Sequence, residues 1–218
     1  MVTRIPCAAI IFDFDGTLAD SMPFLEKIGV KVMMKYYGVS KNEATSRYRA
    51  TTGLPYEHQV RDNFQGNPVN DEAVEEFEKL KIDKIYEQVL FPDAIDTVNR
   101  IVAKSIPVFV SSSTFQATIT EYFRRRGILE LFAGIFGYRP GFEKGADHFR
   151  YAQSNHGVDL SRTVFVGDSL KDYQRTLGYC QFIALEGMFS EKEFREAGHD
   201  GIVVSALGEI PDLVVAVE

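Results

Sequence analysis

Few cysteines, few histidines and no long apolar run mark this chain of 218 residues. The two cysteines, Cys7 and Cys180, are far apart and each sits in an apolar stretch. They read as buried free thiols in a reducing compartment, and a chain of this length needs no disulfide to hold a core. No segment is long enough to cross a bilayer. The amino-terminal run is short and interrupted by aspartates, which fits neither a secretory signal nor an anchor. A cytoplasmic protein with no membrane partner is the expectation. Basic clusters are also scarce. The net charge is -7, and the one cluster, Arg124–Arg126, closes a helical pattern just before Gly127, where it suits the negative end of the helix dipole. An acidic chain of this kind is not expected to bind nucleic acid. Internal repeats and low-complexity stretches are absent.

What is present is a series of short apolar runs, each ending in turn or polar residues. Ala8–Phe12 ends in Asp13-Phe14-Asp15-Gly16, Ile106–Val110 in Ser111-Ser112-Ser113-Thr114, Thr163–Val166 in Gly167-Asp168-Ser169, and Cys180–Leu185 in Glu186-Gly187. Ile135-Phe136 and Gly201–Val204 are weaker runs of the same kind. Helical patterns fall between them, at Asp93–Lys104 (apolar face Ile95, Val98, Ile101, Val102), Phe115–Arg126, Ala146–Asn155 and Leu170–Leu177. Alternation of this sort predicts a doubly wound α/β fold with a parallel sheet covered on both faces. Leu18 to about Phe91 breaks the alternation. Its apolar residues (Leu25, Ile28, Val32, Met33, then Val74, Phe77, Leu80, Ile85, Val89) keep helical spacing, which predicts an all-helical insert. The expected domains are a core of residues 1–18 plus 91–218 and an insert of residues 19–90.

Ligands of open parallel sheets bind beyond the carboxyl ends of the strands. Asp13 and Asp15, Ser111, and Asp168 with Asp172 one turn on all fall at such ends. Any one of these aspartates also fits a simple cap or turn. Three at successive strand ends would repel one another unless a divalent cation lay among them. Oxygen ligands and only 4 histidines select a hard ion, with Mg2+ the usual choice beside phosphate. An aspartate can then attack phosphorus, while hydroxyls and main-chain amides hold the phosphoryl oxygens. Between Ser105 and Leu170 the single lysine is Lys144, which on its position alone also fits a solvated surface residue.

These residues resemble the motifs of the haloacid dehalogenase-like hydrolase superfamily. Asp13-Phe14-Asp15-Gly16-Thr17 is similar to its DxDGT motif and Gly167-Asp168-Ser169-Leu170-Lys171-Asp172 to its GDxxxD motif; Ser111 and Lys144 fall where its second and third motifs belong. The order and strand contexts agree along the whole chain. The helical insert resembles that of subfamily I, which includes enzymes like phosphoglycolate phosphatase and beta-phosphoglucomutase. The resemblance implies Asp13 as nucleophile and metal ligand. It implies Asp15 as acid and then base, with its main-chain carbonyl on the metal. Ser111 and Lys144 hold the phosphoryl group, joined by Gly16, Thr17 and Ser112. Asp168 binds Mg2+, and Asp172 orients the site from behind. The insert becomes a cap that excludes water, with Thr51–Pro55 as its specificity loop and Arg49, Thr52 and Gly53 as substrate contacts; Arg47 and Tyr56 lie nearby.

Three departures stand out. Phe91-Pro92-Asp93 replaces the frequent aromatic-Pro-Gly turn, Ser112 replaces the frequent Asn, and Lys144 is followed by Gly145 where Lys-Pro is common. The expected activity is hydrolysis of a small phosphorylated metabolite through an aspartyl-phosphate. A phosphomutase of the same fold is the alternative. A dehalogenase would have no use for Asp15 or for a metal. A phospho-acceptor module without turnover would carry its aspartate on a mid-sequence strand. The substrate and the oligomeric state are not legible.

Overall fold

Continuous apolar runs form strands here because both faces of the sheet are covered. The computed structural model describes residues 4–217; Met1–Thr3 and Glu218, assigned above to the core, lie outside the described residues. The chain opens with β1 (Ile5–Cys7) and β2 (Ala9–Phe12) and then leaves for four helices, α1 (Met22–Tyr37), α2 (Lys41–Ala50), α3 (Tyr56–Asn63) and α4 (Asn70–Ile85). It returns through α5 (Ala94–Val102), β3 (Val108–Phe115), α6 (Gln116–Arg125), β4 (Gly134–Tyr138), α7 (Ala146–His156) and β5 (Thr163–Gly167). It finishes with α8 (Leu170–Thr176), β6 (Gln181–Leu185), α9 (Glu191–Glu196), β7 (Val203–Val204), α10 (Ile210–Leu213) and β8 (Val214–Ala216). None of the described helices is long and apolar enough to cross a membrane. By packing, the chain divides into two units, Met1–Asp20 with Leu90–Glu218, and Ser21–Val89.

In the first unit, six parallel strands lie in the order β4-β3-β2-β5-β6-β7. From β2 the chain steps outward to β3 and β4, then crosses back to β5 and steps the other way. The reversal at β2 and β5 is a topological switch point, and it opens a crevice at their carboxyl ends. Alternate side chains feed two apolar layers. Ala9, Ile11, Phe109, Phe165, Phe182 and Ala184 join Phe149 and Ala152 of α7 and Phe194 of α9 in one buried cluster. Phe12, Val110 and Val166 point the other way and are equally buried. The same alternation continues past β2. Phe14 meets Tyr122 and Phe123 of α6 edge-on, at 4.7 and 5.5 Å between ring centres, so neighbouring Asp13 and Asp15 are free of that core.

The structure adds to the sequence reading and corrects it. β1 and β8 pair in parallel as a separate small sheet that periodicity did not reveal. β3 does not stop at Ser111 but runs on to Phe115, with a register shift between Ser111 and Phe115. The Ser112 hydroxyl accepts the Thr114 N–H at 2.9 Å, a local bond that bends the strand without ending it. Val102 is 43% exposed and leaves the α5 stripe, whose buried face is Ala94, Thr97, Val98 and Ile101. Cys180 is half-buried, not buried; both cysteines are free.

The second unit is wholly helical. Its α1 buries Leu25, Ile28, Val32 and Met33 as the spacing predicts. In α4 the buried line is Ala73, Phe77, Lys81 and Ile85, one residue every four; Val74 and Leu80 are half-buried, and Val89 lies beyond the helix and is 62% exposed. Tyr56 stacks on Phe77 with 3.8 Å between ring centres, and its hydroxyl donates to the Gly29 carbonyl at 3.1 Å. Gly29 sits inside α1, where glycine costs about 1 kcal/mol relative to alanine. The cost is met by packing: a Cβ there would come 2.4 Å from the Tyr48 ring. Gly29→Ala is therefore expected to destabilise the protein by about 1–3 kcal/mol despite its gain in helix propensity. Denaturant unfolding checks this, and a stabilised variant would contradict the packing argument.

Candidate active site

The turn after β2 is built by local chemistry. Gly16 has φ +82°, a conformation that glycine adopts at little cost. The N–H groups of Thr17, Leu18 and Ala19 all reach the Phe14 carbonyl. This tight turn brings the Thr17 hydroxyl to Asp168, where it donates to Oδ1 at 3.3 Å. Asp13 continues the β2 ladder through its N–H to the Val166 carbonyl, 2.9 Å, and its Oδ1 accepts the Phe14 N–H at 2.6 Å. Asp168 follows β5. Asp172 lies in the first turn of α8, whose N-cap Ser169 accepts the Asp172 N–H at 3.1 Å. Lys144 precedes α7 and reaches in from a third segment.

The charges converge below the surface. The Lys144 ammonium lies 2.7 Å from Asp13 Oδ1 and 2.5 Å from Asp172 Oδ1. A solvated surface lysine is thereby ruled out, since its side chain is 2% exposed. Arg175 Nη1 stands 3.6 Å from the same Asp172 oxygen. Asp13, Asp168 and Asp172 each offer a carboxylate oxygen within 4.8 Å of the others. Asp168 Oδ2 is buried with no hydrogen-bond partner, although its fellow oxygen has Thr17. Asp172 Oδ2 is likewise buried without a partner, and three hard oxygen donors with such unsatisfied atoms fit a divalent cation of the magnesium type. Asp15 does not join this carboxylate cluster; it is half-buried, and its Oδ2 accepts the Thr114 hydroxyl at 2.7 Å. Asp172, expected behind the metal ligands, has an oxygen close to those of Asp13 and Asp168 and is bound to Lys144.

The remaining expected residues fall as follows. Ser111 is fully buried, and its Oγ lies 2.8 Å from His148 Nδ1 in α7. Ser112 is buried and engaged with Thr114. Arg49, Thr52 and Gly53 belong to the helical unit. Arg49 is exposed in the last turn of α2. Thr52 is buried, its hydroxyl donating to the Tyr48 carbonyl at 3.0 Å, which accounts for it as a helix-end residue. Gly53 has φ +93° in the following turn. Sequence reasoning missed Thr114, His148 and Arg175. Thr114 could have been found as the last hydroxyl of the Ser111–Thr114 run. The other two left no signal, because their roles depend on contacts between separate elements.

Burial sets the protonation. It drives the Asp13 carboxyl well above the usual carboxylate range, against the pull of Lys144 and with the push of Asp172 and Asp168. Asp168 rises to about 7 by burial and by the charge of Asp172. Burial also opposes the Lys144 charge, but Asp13 and Asp172 outweigh it and the ammonium is strengthened. His148 is pushed down to about 3 by burial and by Lys144, so it is neutral.

The Asp168 shift has a direct consequence for stability. Its folded pKa exceeds its unfolded value of about 3.9, so between those pH values the folded state holds a proton that the unfolded state releases. Without metal, stability should fall as pH rises from about 4 to about 7. Magnesium, by binding the ionised carboxylates, should restore it at the upper end. Thermal melts in chelator and in Mg2+ across this range test both signs; melts that are flat in chelator and unmoved by Mg2+ would refute the crowding.

Comparison with known proteins identifies the family. The family model described as haloacid dehalogenase-like hydrolase matches residues 10–177. Phosphoglycolate phosphatase of Aliivibrio fischeri is 23% identical over 175 residues, covering 76% of this chain and 77% of that protein. A haloacid dehalogenase-like family hydrolase of Streptococcus pneumoniae superposes with a TM-score of 0.77 at 25% identity, over 94% of this chain and 96% of that one. CbbY of Rhodobacter sphaeroides, in complex with phosphate, has the same fold, with a TM-score of 0.72, 21% identity and 94% and 96% coverage. The match extends from inside β2 through α8 and so includes Asp13, Lys144, Asp168 and Asp172: the chain belongs to the haloacid dehalogenase-like hydrolase family.

Proposed function

We propose that this hydrolase is a Mg2+-dependent phosphatase that cleaves a small phosphate monoester through an aspartyl-phosphate on Asp13. The observation that carries the reading is the Lys144 ammonium 2.7 Å from Asp13, beside the carboxylates of Asp168 and Asp172. A nucleophile, a cation for the phosphoryl oxygens and a set of metal ligands thus occupy one strand edge. A related phosphatase and a relative of the same fold that holds phosphate support the same reaction class.

In this reading Asp13, Asp168 and the main-chain carbonyl of Asp15 hold the cation, with Asp172 close behind. Bound there, Mg2+ would offset the negative charge of nucleophile and phosphoryl group. An oxygen of Asp13 attacks phosphorus, the ester P–O bond breaks, and Asp15 gives its proton to the departing oxygen. Asp15 then takes a proton from water as that water attacks phosphorus, and the Asp13–phosphate bond breaks to release inorganic phosphate. The Thr114 hydroxyl bonded to Asp15 keeps this carboxylate away from the metal ligands. The Gly16 and Thr17 amides are held within their own turn by the Ala19 and Phe14 carbonyls, while Lys144 and the Ser112 hydroxyl bind phosphoryl oxygens.

Ser111 joins them through His148. The imidazole is buried and neutral, with its Nδ1 2.8 Å from Ser111 Oγ. With its proton on Nδ1 the ring donates to Ser111 Oγ and leaves the serine proton for phosphate. Selection among esters is assigned to the helical unit, read as a cap, with Arg49 one of its exposed cations and Gly53 in its loop.

Phosphate release from a panel of small esters is expected to require Mg2+. It should vanish in Asp13→Asn, and in Asp15→Asn both half-reactions should slow by about 10²–10⁴-fold. Turnover that persists in chelator or in Asp13→Asn would end the proposal. An isomeric sugar phosphate formed without free phosphate would convert it to a mutase.

A further inference from the structure

Gly145, the departure that follows Lys144, has φ +110° and ψ -127°. That conformation is nearly closed to other residues. Above it lies a side chain that a larger residue would displace: a Cβ on Gly145 would stand 3.2 Å from Arg175 Cδ and 3.3 Å from Cγ. The stem of Arg175 fills this space, and its guanidinium ends 3.6 Å from Asp172 Oδ1. That oxygen is the one the Lys144 ammonium approaches at 2.5 Å. The Arg175 side chain is 17% exposed and Asp172 is fully buried, so solvent screens the pair poorly.

Counting charge makes the consequence explicit. With Asp13, Asp168 and Asp172 ionised, Lys144 and Arg175 bring the site from -3 to -1. A divalent cation takes it to +1. Without Arg175 the corresponding values are -2 and 0. Arg175 also competes with Lys144 for Asp172, which leaves more of the ammonium for Asp13. We propose that Arg175, seated over Gly145, is a positioning residue that shares Asp172 with Lys144 and shifts the site's preference from the metal cation toward the phosphate anion. This inference rests on the phosphatase reading above.

The test is Arg175→Met, which keeps an unbranched stem over Gly145 and removes the charge. Mg2+ affinity, measured by calorimetry on the free protein, should tighten by about three- to tenfold. Competitive inhibition by inorganic phosphate, measured at saturating Mg2+, should weaken by a similar factor, about three- to tenfold. Arg175→Lys should return both to within about twofold of wild type, since it restores the charge. The opposite signs separate this role from a structural one. Loss of both affinities together, or no change in either, would overturn the proposal. Wild-type protein that binds no Mg2+ and releases no phosphate would overturn the phosphatase reading along with it.

Discussion

One buried ammonium holds the site together. Lys144 lies between Asp13 and Asp172, and all three side chains are largely buried. Buried charges are tolerated only when paired, and removing one partner of such a pair costs about 3–5 kcal/mol. The three residues come from three places: the turn after β2, the loop before α7 and the first turn of α8. Their meeting point is the switch in strand order, where β2 and β5 are neighbours and their continuations diverge. The sheet topology and the ion pairs therefore specify the same spot. The pairs are also incomplete, since Lys144 serves two carboxylates and a third, Asp168, keeps an oxygen without a partner. The protein stores that imbalance for a ligand.

How much of this could be read from sequence depended on the range of the interaction. The turn Asp13–Thr17 was legible because glycine at positive φ and the i+3 and i+4 bonds to Phe14 are local chemistry. The strands were legible because burial on both faces demands unbroken apolar runs. The parts that stayed hidden are contacts between distant segments: Thr114 on Asp15, 99 residues apart, and Ser111 on His148, 37 apart. Neither pair shares an element, and no periodicity marks either one. β1 and β8 were missed for a related reason: three-residue strands, one of them holding Pro6, carry too little pattern to register. The continuation of β3 through three serines was missed because serine is a turn residue by preference, and here the bond from Thr114 N–H to Ser112 satisfies that preference inside the strand.

The helical unit has a different logic. Its Gly29, Tyr48, Tyr56 and Phe77 form a self-contained packing scheme, in which a missing Cβ in α1 admits one aromatic ring and a main-chain carbonyl binds the hydroxyl of another. The carboxylates, Lys144, Ser111 and Ser112 all belong to the other unit. The contacts that order the helical unit are thus made within that unit.

The charge count also orders the events at the site. With the carboxyls ionised and no cation bound, a phosphate ester would meet three carboxylates and two basic groups, a net charge of the same sign as its own. The upward shifts of Asp13 and Asp168 have burial as their main cause, and the neighbouring negative charges add to it. A divalent cation resolves both at once: it lets the carboxylates ionise and reverses the sign of the field the ester encounters. Cation before ester is thus the order that electrostatics favours. Arg175 adjusts how far each step lies downhill. Its charge makes the first step weaker and the second stronger, and the space that Gly145 leaves open allows that charge to sit where it does.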